Sequence, residues 1–389
     1  MGASVELNSQ HQKLILIVDD TPTNIGVISG ALRDSYKTKV ATNGVKALAI
    51  AAEEEKPDLI LLDVMMPEMD GYQVCSRLKA DATTREIPVI FLTGQTSPED
   101  ETKGFAVGAV DYVHKPFSPA VVKARVQSHI LLREARAQLA KQLLDINAEF
   151  EMARQIQLSI LPHTLPKLSG LDIAARYLPM TAVAGDFYDF IDVDDKHLGI
   201  LIADVSGHGL PSALIASMLQ VALTAQAANA PEPGKILTGL NRALCGKFTY
   251  NFVTAAYVYL DLKDNFIRYA GAGHPPLFLS RLSSGKASKV VENGLVLGMV
   301  PDAVYETIEL PREPGDRIVL CTDGILEAPN PAQKEFGEDR LMRFMENNTC
   351  LSADQFADTF LHELSLWSEL STQRGQQDDI TLLVIDSAH

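Results

Sequence analysis

The sequence predicts two folded units of different class joined by a long helix: an α/β doubly wound unit on a five-stranded parallel sheet, a helical linker, and an α+β unit with antiparallel sheets. Three observations lead there. Short apolar runs ending in turn residues recur five times within the first 116 residues; residues 120–161 contain neither proline nor glycine; and from Leu171 apolar strands alternate with hairpin signals before helices and a last strand. A length of 389 residues agrees with two or three domains, placed at 13–127, 128–169 and 170–389.

In the first unit the runs are LILIVDD, KTKVATNG, DLILLDV, IPVIFLTG and VDYVHKP. Continuous apolar runs of this length suit strands buried on both faces of a parallel sheet. Ligands of such sheets lie at the carboxyl ends of the strands, where this chain places Asp19, Asp20, Asp63, Thr93 and Lys115. Three converging carboxylates repel one another, and a hard cation such as Mg²⁺ relieves this. Asp63 is then placed to attack a phosphoryl donor and form an aspartyl phosphate, with Thr93 and Lys115 holding the new oxygens. This unit resembles a response-regulator receiver domain over its whole length, through the acidic pair, LLDVMMPEMDG around Asp63, FLTG and HKPF. The resemblance implies Mg²⁺ bound by Asp20, Asp63 and the Met65 carbonyl, Asp63 as phosphoacceptor, Tyr112 as the switch aromatic, and a histidine kinase or phosphotransfer protein as donor. Gly94 stands where the family often has alanine.

The proline- and glycine-free stretch predicts a continuous helix of roughly 60 Å. Leu132, Ala135, Leu139, Leu143, Ile146, Phe150, Ala153, Ile156 and Ile160 follow three- and four-residue steps with one irregular step at Leu139 to Leu143. A parallel coiled coil between two protomers is the expectation for its N-terminal half; its C-terminal half is expected to dock on the following domain, ended by Pro162.

In the last unit, LDIAARYLP, HLGILIADV, NFVTAAYVYLD, FIRYAGAG, DRIVLCTDG and ITLLVID predict strands of antiparallel sheets. Asp186, Asp204, Asp323 and Asp378 fall at strand ends or turns beside small residues or glycines. Four such carboxylates suggest two hard divalent ions bound by carboxylate and water, able to activate water and orient a phosphate for in-line attack. His208 and His274 lie beside glycines and give little support to zinc. Residues 170–386 resemble the metal-dependent PPM protein phosphatases in their SpoIIE and RsbU-like branch, whose motifs GDFYD, DVSGHG, YAGAGHPP, VLGMVPD, TDGILEA and DDIT occur here in order. The resemblance implies an antiparallel β-sandwich flanked by helices and two Mn²⁺ or Mg²⁺ ions. Asp204 would bridge both ions, the Val205 carbonyl would join the first, and Asp323 and Asp378 would complete the second. Asp186 would reach the ions through water, with Asp189 and Asp379 in outer positions. Two departures stand out. The phosphate-gripping arginine of eukaryotic members has no counterpart nearer than Arg176, and their general-acid histidine corresponds to Ser206, with His208 displaced.

The net charge of -16 is concentrated from Gly170 onward, where 29 acidic residues face 16 basic ones. That imbalance and the absence of a basic helix-turn-helix argue against nucleic acid. ALIASMLQVALTAQAANA is interrupted by polar residues and reads as a buried helix, with no membrane span expected. The polar N-terminus is unlike a signal peptide, and four distant cysteines without CxxC spacing point to a reduced, cytoplasmic setting. By resemblance the function is a phosphorylation-controlled serine/threonine phosphatase acting on a phosphorylated STAS-type anti-sigma-factor antagonist. An inactive phosphatase-fold adaptor binding a sigma factor or anti-sigma component is the alternative, and the presence of all four aspartates weighs against it.

Overall fold

The computed structural model describes residues 12–94, 98–248, 250–368 and 376–387. The N-terminal segment read above for targeting signals lies largely outside these residues. Contacts divide the chain into two compact units that meet between Asp145 and Ile146.

The first unit alternates β1 (Leu14–Val18), α1 (Pro22–Leu32), β2 (Lys37–Ala41), α2 (Gly44–Ala51), β3 (Leu59–Asp63), α3 (Gly71–Ala80), β4 (Val89–Thr93), α4 (Pro98–Ala106) and β5 (Asp111–His114). The strands are parallel in the order β2-β1-β3-β4-β5. Alternate residues of β1 serve different layers: Leu16 and Val18 pack towards α2 and α3, while Ile15 and Ile17 pack towards α1. Each such side chain contributes about 1.5–3 kcal/mol on burial, which is why the three central strands β1, β3 and β4 contain no polar residue before their last position, whereas the edge strands β2 and β5 do.

A single helix, α5 (Pro119–Ile160), starts inside this unit and ends inside the next. Val122, Val126 and Ile130 belong to the core of the first unit, and Arg133 donates to the Asp58 carbonyl at 2.6 Å. Leu132, Leu139, Leu143 and Ile146 are exposed. At its far end Gln157 is buried and Leu158, Ile160 and Leu161 pack into the second core, whereas Ile156 is 61% exposed. The expected docking stripe is thus displaced: the inward position is occupied by a polar residue that finds hydrogen bonds, and Ile156 faces outward.

The second unit comprises β6 (Leu171–Leu178), β7 (Phe187–Asp194), β8 (His197–Val205), α6 (Leu210–Ala225), α7 (Pro233–Leu244), β9 (Val253–Asp261), β10 (Phe266–Ala272), β11 (Leu277–Arg281), β12 (Lys286–Val290), β13 (Ile308–Pro311), β14 (Arg317–Cys321), α8 (Asp323–Leu326), α9 (Glu338–Asn347), α10 (Ala353–Ser368) and β15 (Ile380–Ser387). Two antiparallel five-stranded sheets form, in the orders β13-β10-β9-β8-β7 and β12-β11-β14-β15-β6. They face each other across one core, to which β15 gives Leu383 and Ile385 and β8 gives Ile200 and Ile202. The other face of β15, with Leu382 and Val384, packs under α9 and α10. Helices α6 and α7 cover the first sheet, completing a four-layer sandwich.

The run read as a buried helix is α6, but it is buried on one side only. Ala216 and Leu219 are fully covered, while Leu214 and Val221 are 59% and 68% exposed. Among the described residues no helix is long and apolar enough to cross a membrane. All four cysteines are free.

Candidate functional site

Two clusters of carboxylates form, one in each unit. In the first, Asp19, Asp20 and Asp63 bring carboxylate oxygens within 4.8 Å of one another. Asp19 and Asp20 follow β1, Asp63 ends β3, Thr93 ends β4, and Lys115 follows β5, so a parallel sheet delivers all five to one edge. The Lys115 ammonium lies 2.8 Å from both Asp19 and Asp63. Asp19 is also held by Asn24 and by the Thr21 amide, and Asp63 accepts the Met65 amide at 3.3 Å. Burial and the nearby Asp19 push the Asp63 carboxyl above its ordinary range, against the opposing pull of Lys115. Gly71 has a steric reason: a Cβ there would lie 2.3 Å from the Asp63 carbonyl, so α3 can begin against the phosphoacceptor candidate only without a side chain. Tyr112 is half-buried between the rings of Phe105 and His114. The donor set, all oxygen with a carboxylate surplus, fits a hard cation.

In the second unit, Asp186 precedes β7, Asp204 lies near the end of β8, Asp323 opens α8, and Asp378 precedes β15. The structure brings these four together. Asp186 is buried, and its carboxylate accepts the hydroxyls of Thr322 at 2.8 Å and Thr381 at 2.6 Å. Burial, then the charge of Asp204, raises its pKa well above the ordinary carboxylate value. Asp204 is pushed up to about 7 by burial and by Asp323, Asp378 and Asp379, and Asp323 to about 6 by burial and by Asp378. Among the described residues, the charges that bear most on these carboxyls are those of the other aspartates and Glu327.

Two glycines make the approach possible. A Cβ on Gly185 would stand 2.7 Å from the Val205 carbonyl, and one on Gly324 would stand 2.0 Å from the Asp379 carbonyl. The first lets the loop before Asp186 pack against the Val205 carbonyl beside Asp204; the second lets α8 start against the Asp378–Asp379 pair. Among the described residues only the triad of the first unit converges within 4.8 Å. The aspartates of the second unit are more widely spread, so the set fits ions that keep several waters rather than one ion enclosed by three side chains.

The neighbouring residues separate into distinct tasks. Asp379 spends both oxygens on backbone amides, Met180 and Gly185, each at 2.7 Å. Asp189 lies apart, with Asp192 as its charged neighbour. Arg176 is committed to Asp354 and Asp358 on α10. His208 is exposed between Gly207 and Gly209, both at positive φ. His274 is buried, hydrogen-bonds Thr254 at 2.9 Å, and has its pKa pushed down to about 3 by burial, so it stays neutral. Thr254 in turn is the cross-strand partner of Asp204. A cavity of about 370 Å³ opens beside Asp323, lined by His274, Asn293, Lys289, Glu327 and Glu338. Gln157 lies outside the apolar spacing read from the sequence of α5, which singles out Ala153, Ile156 and Ile160 around it.

A parallel sheet with a carboxylate cluster at one edge and a four-layer sandwich with a second aspartate cluster define a response-regulator receiver domain joined to a PPM-type phosphatase domain. The model of the response regulator receiver domain matches residues 15–127, and that of stage II sporulation protein E (SpoIIE) matches 194–387. The phosphoserine phosphatase RsbU of Bacillus subtilis is 32% identical over 244 residues, covering 62% of this chain and 70% of that protein. The SiaA-PP2C domain of Pseudomonas aeruginosa superposes with a TM-score of 0.56 at 25% identity, covering 64% of this chain and 99% of that one. A probable cyclic di-GMP phosphodiesterase of Vibrio cholerae is 48% identical over 131 residues, but the chain spans only 30% of its length. The chain belongs to the SpoIIE and RsbU-like family of PPM protein phosphatases, with a receiver domain at its N-terminus.

Proposed function

We propose that aspartyl phosphorylation at Asp63 controls a metal-dependent serine/threonine phosphoprotein phosphatase. The observation that carries this is the convergence of Asp186, Asp204, Asp323 and Asp378, whose mutual repulsion raises the carboxyl pKa values of Asp186, Asp204 and Asp323. In this reading Asp204, the Val205 carbonyl, Asp323 and Asp378 would hold two Mn²⁺ or Mg²⁺ ions, with Asp186 as a further carboxylate beside them. Bound cations supply positive charge to the substrate phosphoryl group and lower the pKa of water. The chain's own residues do the rest. Thr322 and Thr381 fix the Asp186 carboxylate, Asp379 fixes the loop before it, and the cavity beside Asp323 receives the phosphorylated residue.

At the receiver, Asp19, Asp20, Asp63 and the Met65 carbonyl hold Mg²⁺; Lys115 and Thr93 hold the transferred phosphoryl oxygens, and Tyr112 reports their presence. A histidine kinase or phosphotransfer protein donates the group. The division into receiver 13–127, linker 128–169 and phosphatase 170–389 follows this reading. The exposed leucines of α5 support a homodimer through the linker. The likeness to RsbU supports a phosphorylated STAS-type anti-sigma-factor antagonist as substrate, in a partner-switching pathway of the cytoplasm.

Purified protein with Mn²⁺ or Mg²⁺ is expected to hydrolyse p-nitrophenyl phosphate and a phosphorylated STAS protein. Absence of metal-dependent turnover on both would overturn the enzymatic reading. Beryllofluoride is expected to change the rate of the wild type by about 5- to 150-fold, the range of ordinary allosteric coupling, and to leave Asp63→Ala unaffected. An equal response in both would remove the receiver from the control.

A further inference from the structure

The loop leading into Asp186 is tied down from three directions. Asp379 takes the amides of Met180 and Gly185, and the threonine pair takes the Asp186 carboxylate. The third tie comes from outside both sheets. Gln157, in the last turn of α5, donates through Nε2 to the Ala184 carbonyl at 2.5 Å and accepts the Ala184 amide through Oε1 at 2.9 Å. Both residues are buried, Gln157 at 5% and Ala184 at 0% exposure. A carboxamide that satisfies the donor and the acceptor of one residue acts as a neighbouring strand would, fixing the peptide planes on either side. Those planes lead directly to Gly185, which must lie against the Val205 carbonyl, and to Asp186. Without the carboxamide, two buried backbone groups would lose their partners, and the loop could recover them only by moving.

Resting on the metal-site reading above, we infer that Gln157 is a positioning residue for that site. It touches none of the four aspartates. It sets Ala184 so that Gly185 and Asp186 meet Val205 and Asp204 in the geometry that receives the ions. The linker helix therefore contributes a polar clamp to the catalytic domain as well as apolar contacts.

Gln157→Met tests this in the full-length protein, since methionine keeps the length and helix propensity of the side chain and removes both bonds. Mn²⁺ titration is followed by the metal-induced rise in Tm and, separately, by hydrolysis of p-nitrophenyl phosphate. The midpoint is expected to rise about tenfold in both readouts, with kcat at saturating Mn²⁺ within about threefold of wild type. Gln157→Glu, which still accepts the Ala184 amide but sets a carboxylate oxygen against the Ala184 carbonyl, is expected to raise the midpoint at least as far. Unchanged midpoints, or a lower Tm of the metal-free protein with no shift in midpoint, would overturn the inference. A wild type whose Tm ignores Mn²⁺ would instead overturn the metal-site reading. If Gln157→Met is unfolded at the assay temperature, Gln157→Glu carries the same comparison.

Discussion

Asp204→Asn is expected to lower metal-dependent turnover by about 10³-fold or more and, at pH 8, to make the metal-free protein more stable than wild type. The loss follows from its place at the meeting point of Asp186, Asp323, Asp378 and Asp379, where it is the one carboxylate coupled to all the others. The gain follows from the same crowding. Its pKa is raised from 3.8 to about 7, so between these values the folded chain keeps a proton that the unfolded chain releases. Stability then increases as pH falls through that window. Asparagine removes the penalty, so its advantage is fully present above pH 7, shrinks below it, and is gone near pH 4. Thermal denaturation in chelator at pH 8, 6 and 4, beside rates with Mn²⁺, reads both effects. Equal Tm values at pH 8 would contradict the repulsion account, and retained turnover would remove Asp204 from the site.

Gly324→Ala is expected to be among the most damaging small substitutions in the phosphatase domain. Its Cβ would meet the Asp379 carbonyl at 2.0 Å and the Asp378 Cβ at 3.3 Å. Backbone at the start of β15 cannot step aside without carrying both aspartates with it. Overpacking of this kind costs about 3 kcal/mol, or roughly 6–12 °C in Tm for a domain of this size, and Mn²⁺ binding should weaken with it. Gly30→Ala in α1, where a Cβ meets nothing within 4 Å, is the comparison and should leave Tm nearly unchanged or slightly raised. If the two variants melt together, the close approach of α8 to the aspartate pair is not a constraint.

Much of this was legible in the sequence because strand ends are legible. Runs such as LILIV and LILLD are buried on both faces, so their first polar residue marks the place where the strand leaves the sheet. Asp19 and Asp63 are found that way. The second unit hid more. β7 begins inside GDFYDF, whose mixture of aspartate and aromatic residues reads as a turn, and β12 presents Lys286 and Lys289 on an edge strand where no apolar run is required. The exposed side of α6 was hidden for the opposite reason: Leu214 and Val221 are as apolar as their buried neighbours, so no periodicity distinguishes them. Gln157 was hidden because a glutamine on a helix is ordinarily solvated. Only the fold places the Ala184 peptide groups within its reach.

The neighbours Asp378 and Asp379 share a letter but not an occupation. Asp378 is exposed toward the cluster, whereas Asp379 is buried with both oxygens taken by Met180 and Gly185. Because successive residues entering a strand point to opposite sides, the pair is a junction with one terminal facing the solvent and one wired into the scaffold. Sliding the dipeptide by a single position against β15 would exchange those terminals while leaving the spelling DDIT untouched. Grafting this site onto another chain would therefore succeed or fail on strand register, a property no inventory of matching letters records.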